Sequence, residues 1–485
     1  MRLVLIKFWR QRLEIMLFNS IAFICVFLPV IFILYYLLPG KIKDIALVAG
    51  GAVFFAWGAP VNLVVLAFFI LFNYAVGIQM EGYMRRRRST EQLFAGSILI
   101  NIIVYVFFAF IGQRVGFISE VPVGIGICIL QVLSYLIEIH RGNVKAQKSI
   151  LDFAVYIAMF PLFLAGPVVK YPQIRKELKT RKLSWAKAGE GITLFVCGFA
   201  KKVIIADYLA DSFTKIMSLK AGELSVFGAW LGCATFMFQI YFAFSGYCDM
   251  ATGLGYLFNI RIPMNFNSPY KATSVVDFWK RWHLTLTRFL RTYVYFPLGG
   301  SRKGEKRTYL NILVVFLVSG LWHGANWTFI FWGFLHGIGN ALTRMFQKQW
   351  EHLHTVIQWG FTFLFVNLTW IFFRADSISQ AWQFVKRIFG LKSFSVRTGL
   401  LNTFGLKELQ FVYRHVPVVN RLIASIRGFD MLILLGASLI LCVAFKNNQE
   451  AEFKPDRKRA FCTIFCLLWG IFSLSGVSEF LYFNF

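Results

Sequence analysis

The sequence predicts an all-α polytopic membrane protein, on the evidence of its composition and its recurring apolar runs. Of its 485 residues, 58% are hydrophobic and 15% are charged, and the mean hydropathy is +0.61. Soluble domains contain roughly 45–50% apolar and about 25% charged residues. The composition therefore excludes a soluble enzyme, a disordered scaffold and a secreted domain stapled by disulfides.

Apolar runs long enough for helices recur along the chain, and they predict about eleven or twelve elements, because a spanning helix needs about 20 mostly apolar residues. The first run, 20–38, is too long for a cleaved signal peptide and is predicted to be a retained span. The other runs are 45–57 together with 61–77 as one candidate, 93–111, 123–139, 149–165, 191–208, 224–244, 309–322, 326–344, 356–373, 429–446 and 460–476.

Other segments do not read as clean spans. Residues 160–167 and the Gly-rich 246–255 are predicted to break their helices, which membranes tolerate only where protein or a water-filled cavity satisfies the backbone. Residues 261–308 show an amphipathic pattern and are expected at the membrane interface. Residues 377–428 are expected to form a loop with interfacial helices.

The charge is strongly basic, with 51 Lys and Arg against 23 Asp and Glu, a net charge of +28. The basic residues cluster between apolar runs, notably at 85–88 and 170–187, as expected of cytoplasmic loops. Binding to nucleic acid is not needed to explain them. All eight cysteines lie in apolar or near-apolar stretches without metal-ligand spacing, so no metal site is predicted.

Ionisable residues inside apolar segments are costly and mark functional sites by default. His323 lies between two apolar runs and is flanked by Gly320 and Gly324, which let backbone or substrate approach closely. A neutral imidazole there could take a proton from a hydroxyl group. A hydrogen-bonded packing histidine explains the residue equally well.

His283 is the second candidate. On one continuous helix, Thr287 and Arg291 would share its face. With Lys280 and Arg281 nearby, this surface suits a phosphate or carboxylate arriving from the cytoplasm, or the headgroups of anionic lipids.

Two further residues are assigned structural roles. His336 lies thirteen positions after His323 and would point away from it on one straight helix, so it is expected to pack. Asp249 needs a partner; it could orient a histidine or bind a cation, and an ion pair with Arg374 is favoured.

These motifs together resemble the membrane-bound O-acyltransferase family, in the branch of the alginate O-acetyltransferase membrane subunit. The resemblance is strongest over 16–376, within a single predicted domain covering 1–485, and 377–485 hold a loop and the last spans. The residues that carry it are Phe18-Asn19-Ser20, Phe27-Leu28-Pro29, Ala165 to Tyr171, Phe244 to Ala251, Asn265 to Tyr270, Asp277 to His283, Tyr293 to Gly300, Leu321 to Trp327 and Trp370 to Asp376.

The resemblance implies that His323, in the Trp-His-Gly motif, is catalytic, and that His283, in Arg-Trp-His, is the family's second characteristic histidine. It also implies a ring of about eleven tilted transmembrane helices, with re-entrant and interfacial helices, around a thinned central funnel. One departure is Arg291-Thr292-Tyr293, where the family commonly has Arg-Asp-Tyr. This departure puts the detailed role of the His283 region in question.

The implied activity is O-acetylation of an extracytoplasmic polysaccharide such as alginate, by an enzyme of the bacterial inner membrane. Acetyl-CoA is the expected donor substrate, with Lys280 and Arg281 holding its phosphates, and no bound cofactor is expected. His323 would act as general base, although an acyl-histidine intermediate stays open. A separate extracytoplasmic hydrolase-like protein is the expected partner.

Two alternatives remain open. The chain could transfer D-alanine toward teichoic acid from a carrier protein, although Leu298 to Arg302 and Gly324 to Trp327 favour acetyl transfer. A lipid or solute transporter would also explain the spans, but it would not predict His323 within this set of motifs. A purely structural anchor is disfavoured, because an anchor needs no intramembrane histidine.

Overall fold

The computed structural model is helical throughout the residues it describes, which are 16–474 except 41, 58, 119–120, 183, 220–223, 391–397, 402–403, 405–414, 416–427, 449 and 452. No strand occurs within these residues, which confirms the all-α prediction. The chain divides into two units, Met1–Phe195 with Tyr247–Pro263, and Val196–Gly246 with Met264–Phe485. Two of the helices, Trp185–Ala200 and Val226–Leu257, each contribute residues to both units.

The first unit contains eight helices among its described residues, counting the larger part of α8. They are α1 (Leu28–Leu37), α2 (Ile42–Ala56), α3 (Asn62–Arg85), α4 (Glu91–Val106), α5 (Ile125–His140), α6 (Ile150–Ile157), α7 (Tyr171–Thr180) and α8 (Trp185–Ala200). A cluster of phenylalanine rings fills its core, with Phe54 and Phe160 packed 5.9 Å apart between ring centroids. The predicted break after α6 is confirmed, because α6 ends at Ile157 and a short 3₁₀ turn, Phe160–Leu162, follows.

Several buried polar side chains in this unit pair with one another. Asn73 of α3 and Asn101 of α4 exchange two amide hydrogen bonds, of 3.0 and 2.8 Å. Arg181 forms a buried ion pair with Asp44 of α2. In an apolar environment such pairing removes the cost of unsatisfied polar groups.

The second unit holds the remaining helices. They are α9 (Asp207–Met217), α10 (Val226–Leu257), α11 (Val275–Trp279), α12 (Leu284–Leu290), α13 (Glu305–His323), α14 (Trp327–Met345), α15 (Gln347–His352), α16 (Thr355–Arg374), α17 (Ile378–Ile388), α18 (Thr398–Leu401), α19 (Phe429–Val443) and α20 (Arg457–Ser473). Residues 247–257, which end α10 and include all but the first residue of the predicted Gly-rich stretch, belong to the first unit, since the division falls after Gly246.

Four helices within the described residues are long and apolar enough to cross a membrane: Asn62–Arg85, Glu91–Ile111, Val226–Leu257 and Thr355–Arg374. The second of these joins α4 to a π-helical segment, Phe107–Ile111. Shorter apolar helices accompany them at Phe23–Leu37, Ile125–His140, Ile150–Leu162 and Phe429–Val443. These helices are typical of a membrane protein.

The predicted break at 246–255 is wrong, because α10 runs unbroken from Val226 to Leu257. Its glycines serve close packing instead. A Cβ atom at Gly253 would lie 2.5 Å from the carbonyl oxygen of Gly191 in α8, and one at Gly191 would lie 2.6 Å from that of Gly253. Small residues let apolar helices approach to backbone contact, and sequence alone does not distinguish that use of glycine from a helix break.

The late mixed segment contains helix as well as loop: α17 covers Ile378–Ile388 and α18 covers Thr398–Leu401. Most of the remainder of 377–428 lies outside the described residues. The amphipathic pattern of 261–308 is confirmed, because its apolar residues are buried. The apolar residues that define it are all buried: Val275, Phe278, Trp279, Trp282, Leu286, Phe289 and Leu290.

The α8–α10 contact gives a controlled test of packing. Replacing Gly191 by Val should lower thermal stability, since overpacking typically costs about 1–3 kcal/mol. Gly189→Val is the matched control, because it lies on the same helix and its Cβ would meet open space. Fluorescence-detected unfolding of both purified variants makes the measurement; equal melting temperatures would contradict this packing role.

Candidate functional site

His323 is the last residue of α13, and its half-buried imidazole lies among aromatic rings. The ring centroids of Trp322, Phe373 and Trp332 lie 4.8, 5.2 and 5.4 Å from that of His323. Gly324 follows in an extended conformation and ends the helix. The imidazole therefore stands at a helix end in largely apolar surroundings.

Close packing of α13 against α14 fixes this helix end. A Cβ atom at Gly320 would lie 2.4 Å from the carbonyl oxygen of Phe329, and one at Gly333 would lie 2.4 Å from that of Phe316. Neither glycine has room for a side chain. The predicted close backbone approach at Gly320 is confirmed, and its partner is α14.

His283 lies between two short helices, and Thr287 follows it by one helical turn, with its N–H donating to the carbonyl oxygen of His283 at 3.0 Å. Helix α11 ends at Trp279, and α12 begins at Leu284 with His283 as its N-cap residue. His283 has a φ of 45°, in the left-handed region that a residue with a side chain rarely adopts. The chain turns there, and therefore Lys280 and Arg281 do not share a helix with Thr287.

The amide oxygen of Asn265 holds this turn. Asn265 Oδ1 accepts hydrogen bonds from the backbone N–H of Thr285 at 3.1 Å and from its hydroxyl group at 2.8 Å. His283 Nδ1 lies 3.1 Å from the same oxygen. The backbone of Asn265 also accepts a bond from Leu284 N–H, at 3.0 Å. One asparagine thus contacts three consecutive residues.

These contacts select the tautomer of neutral His283. A backbone N–H can only donate, so the atom of Asn265 that faces Thr285 is the oxygen. Nδ1 of His283 must then donate to that oxygen, which places the lone pair of the neutral ring on Nε2. An Nε2 lone pair is what a general base requires.

Trp322 connects the two histidines within the second unit. Its ring centroid lies 6.2 Å from that of His283 and 4.8 Å from that of His323. Phe244 also contacts the His283 ring, with centroids 4.8 Å apart. We call His283, His323, Trp322 and Asn265 the histidine site. The structure thus brings both predicted histidines to one aromatic cluster.

Lys280 and Arg281 occupy the turn that precedes His283. Lys280 is exposed. Arg281 donates from Nε to Asp277 at 2.9 Å and contacts the carbonyl oxygen of Asn267 at 3.5 Å. The sequence does not distinguish the two residues, but in the structure Arg281 is partly engaged in shaping the turn.

The packing role predicted for His336 is confirmed. The indole N–H of Trp279 donates to His336 Nδ1 at 3.2 Å, so Nε2 carries the proton and faces the hydroxyl group of Thr369 at 2.9 Å. That hydroxyl donates onward to the carbonyl oxygen of Val366. Both ring nitrogens are therefore used, and the ring is fully buried.

Asp249 is buried, as expected of a carboxylate in an apolar stretch. The carboxylate beside Arg374 is that of Asp376, at 3.7 Å. The suggested pairing of Asp249 with Arg374 therefore stays a prediction.

Comparison with known proteins identifies the class to which this site belongs. A family model for the membrane-bound O-acyltransferases matches residues 140–376, which include the whole histidine site. The chain belongs to this family, and it is an O-acyltransferase. The transporter and anchor alternatives are thereby set aside.

Individual relatives refine this assignment. The chain is 34% identical to the probable alginate O-acetylase AlgI of Azotobacter vinelandii, over 90% of this chain and 89% of that protein. It is 33% identical to the peptidoglycan O-acetyltransferase of Helicobacter pylori, over 98% of both chains. It is 25% identical to the teichoic acid D-alanyltransferase of Bacillus subtilis, over 65% of this chain and 88% of that protein. The relatives support O-acetylation of a polysaccharide.

No sequence pattern predicted a role for Asn265. The residue appeared only as part of the motif Asn265 to Tyr270, eighteen positions before His283. No periodicity connects residues that meet across a turn. A polar residue at the start of an aromatic, proline-containing motif was the only signal available.

The His336 contacts generate a stability prediction. His336→Leu should destabilise the protein, because it leaves the buried Trp279 N–H without its acceptor, a loss of about 1–3 kcal/mol. Thermal unfolding in detergent measures the effect. His352→Leu, at an exposed position, is the control and should melt like the wild type. A His336→Leu variant with wild-type stability would contradict the packing role.

Proposed function

We propose that the chain moves acetyl groups from a cytoplasmic donor, acetyl-CoA, to hydroxyl groups of an extracytoplasmic polysaccharide. The observation that carries the proposal is the packing of both His323 and His283 against the ring of Trp322. Two of the most similar relatives are named for O-acetyl transfer, one for alginate and one for peptidoglycan. The polymer could therefore be alginate or another secreted or wall glycan.

In this proposal His323 is the general base. It takes the proton of the acceptor hydroxyl as the hydroxyl oxygen attacks the thioester carbonyl carbon. The C–S bond then breaks, and the imidazolium returns its proton to the departing thiolate. In an alternative mechanism the imidazole attacks the carbonyl carbon directly and forms an acyl-histidine. Trapping that intermediate would reveal this mechanism.

His283 is proposed to act beside it. Its Nε2 lone pair, fixed by the bond from Nδ1 to Asn265, can accept a hydrogen bond from the acceptor hydroxyl or relay its proton. The apolar surroundings favour the neutral imidazole, because burial disfavours charge.

The proposed route crosses a multi-pass protein of the bacterial inner membrane. About eleven tilted helices would surround a thinned centre, where a cytoplasmic funnel and an outer funnel approach each other. An acetyl group can then pass while its large polar carrier stays in the cytoplasm. A separate extracytoplasmic hydrolase-like protein would complete transfer to the polymer.

Lys280 and Arg281 are proposed to hold the phosphates of the donor. Lys280 is the stronger candidate, because it is exposed whereas Arg281 is engaged with Asp277. Lys280→Ala should raise the KM for acetyl-CoA and leave kcat within about twofold, as expected when binding common to ground and transition states is lost. Steady-state kinetics with varied acetyl-CoA measures this effect, and an unchanged KM would contradict the contact.

The central experiment measures coenzyme A release from labelled acetyl-CoA by the purified chain in lipid nanodiscs. His323→Ala should lower acetyl transfer by about 10²–10⁴-fold, which is the usual loss on removing a general base. The assay is run with and without the extracytoplasmic partner, and full polymer acetylation is expected only with it. His352→Ala, at an exposed position, is the control.

Each contrary result points to a specific failure. Equal activity of the wild type and a folded His323→Ala variant would contradict catalysis by His323. Complete polymer acetylation by the chain alone would contradict the need for a partner. D-alanyl transfer from a carrier protein, without any acetyl-dependent activity, would favour the alternative that the Bacillus subtilis relative supports.

A further inference from the structure

Polar side chains from the loop between α19 and α20 contact the chain segment that carries Asn265. Asn447 donates from Nδ2 to the carbonyl oxygen of Phe266 at 3.2 Å. The hydroxyl group of Ser268 donates to Glu450 Oε1 at 2.6 Å. With its amide oriented to satisfy both polar atoms, Asn267 also donates to the two Glu450 oxygens, at 3.1 and 3.2 Å. The loop thus contacts the three residues that directly follow Asn265.

The loop is itself anchored. Asn447 is buried, and its Oδ1 accepts a hydrogen bond from Lys201 Nζ at 3.1 Å. The backbone N–H of Asn447 donates to Glu450 Oε1 at 3.4 Å. Asn447 therefore uses both ends of its amide to join two parts of the second unit. We call Asn447 and Glu450 the C-terminal clamp.

The segment that the clamp holds is backbone-paired with the histidine turn. Asn267 N–H donates to the carbonyl oxygen of Arg281 at 2.9 Å. On the other side of Phe266, Asn265 accepts from Leu284 N–H at 3.0 Å. The ring of Phe266 packs against Phe244 and Trp282, and its centroid lies 4.9 Å from the centroid of each of those rings. A displacement of residues 265–268 would therefore be transmitted to His283.

Both segments carry a strained residue at this junction. Ser268 has a φ of 42° and His283 a φ of 45°, each in the left-handed region, which costs a residue with a side chain of the order of 1–2 kcal/mol. Such conformations persist only where surrounding contacts enforce them. Glu450 supplies that contact to Ser268, as Asn265 does to the turn at His283.

We propose that Asn447 and Glu450 are positioning residues for acyl transfer, which act through Asn265 to hold the imidazole of His283 in its working orientation. This inference rests on the proposed function of His283. The clamp lies beyond residues 140–376, the part that the family model matches, so the chain's C-terminal region contributes to the geometry of the site.

The first test separates positioning from stability. Glu450→Ala should lower kcat for acetyl transfer by about 10- to 100-fold with little change in the KM for acetyl-CoA, because small misplacements of a reacting group carry costs of this size. Glu450→Gln keeps an acceptor oxygen for Ser268 and should retain most activity. Glu351→Ala, which removes an exposed glutamate bonded to Gln347, is the matched control and should behave like the wild type.

A double-mutant cycle tests the route through His283. If the clamp acts through this residue, the double variant His283→Ala/Glu450→Ala should have a kcat no lower than that of His283→Ala alone. The effects of coupled residues are non-additive. Losses that multiply would overturn the proposed route. Full kcat in a folded Glu450→Ala variant would overturn the clamp. If Glu450→Ala does not fold, Ser268→Ala removes the same hydrogen bond from the other side and carries the same expectations.

The outcomes also separate the two proposals. An inactive His283→Ala with an active Glu450→Ala contradicts only the clamp. A fully active His283→Ala contradicts the role proposed for that histidine, and the clamp with it. An inactive wild type in the presence of acetyl-CoA and partner contradicts the proposed acetyl transfer.

Discussion

One amide oxygen organises the surroundings of His283. Asn265 Oδ1 receives three donors, two from Thr285 and one from His283, in a buried setting where an unsatisfied polar group would be costly. This arrangement makes an unfavourable backbone conformation at His283 tolerable and sets the tautomer of its ring. Removing the oxygen would leave the turn, the start of α12 and the imidazole without a common anchor.

Close helix packing plays the corresponding part for His323. Because Gly320 and Gly333 bring α13 and α14 to backbone contact, the end of α13 has little freedom to move. Aromatic rings then surround the half-buried imidazole. At His336, which is fully buried, Trp279 and Thr369 occupy both ring nitrogens. His336 is therefore a structural residue.

The sequence predicted the helical class and most of the apolar helices, because these depend on local composition. It failed where tertiary contacts decide. The glycines of 246–255 suggested a break, yet backbone contact with α8 makes them part of a continuous helix. No local pattern predicted the turn at His283, which contacts with Asn265 stabilise. The roles of Asn265 and Glu450 depend on contacts across 18 and 182 positions, which no local pattern encodes.

The central claim is that acyl transfer occurs at the histidine site. A structure of the chain in lipid, determined by electron cryomicroscopy with a non-hydrolysable acetyl-CoA analogue, tests it most directly. We expect the carbonyl group of the analogue within hydrogen-bonding reach of His323 or His283, with the phosphates of the donor on the side of Lys280. Density for the acyl group in another part of the chain, away from both imidazoles, would contradict it.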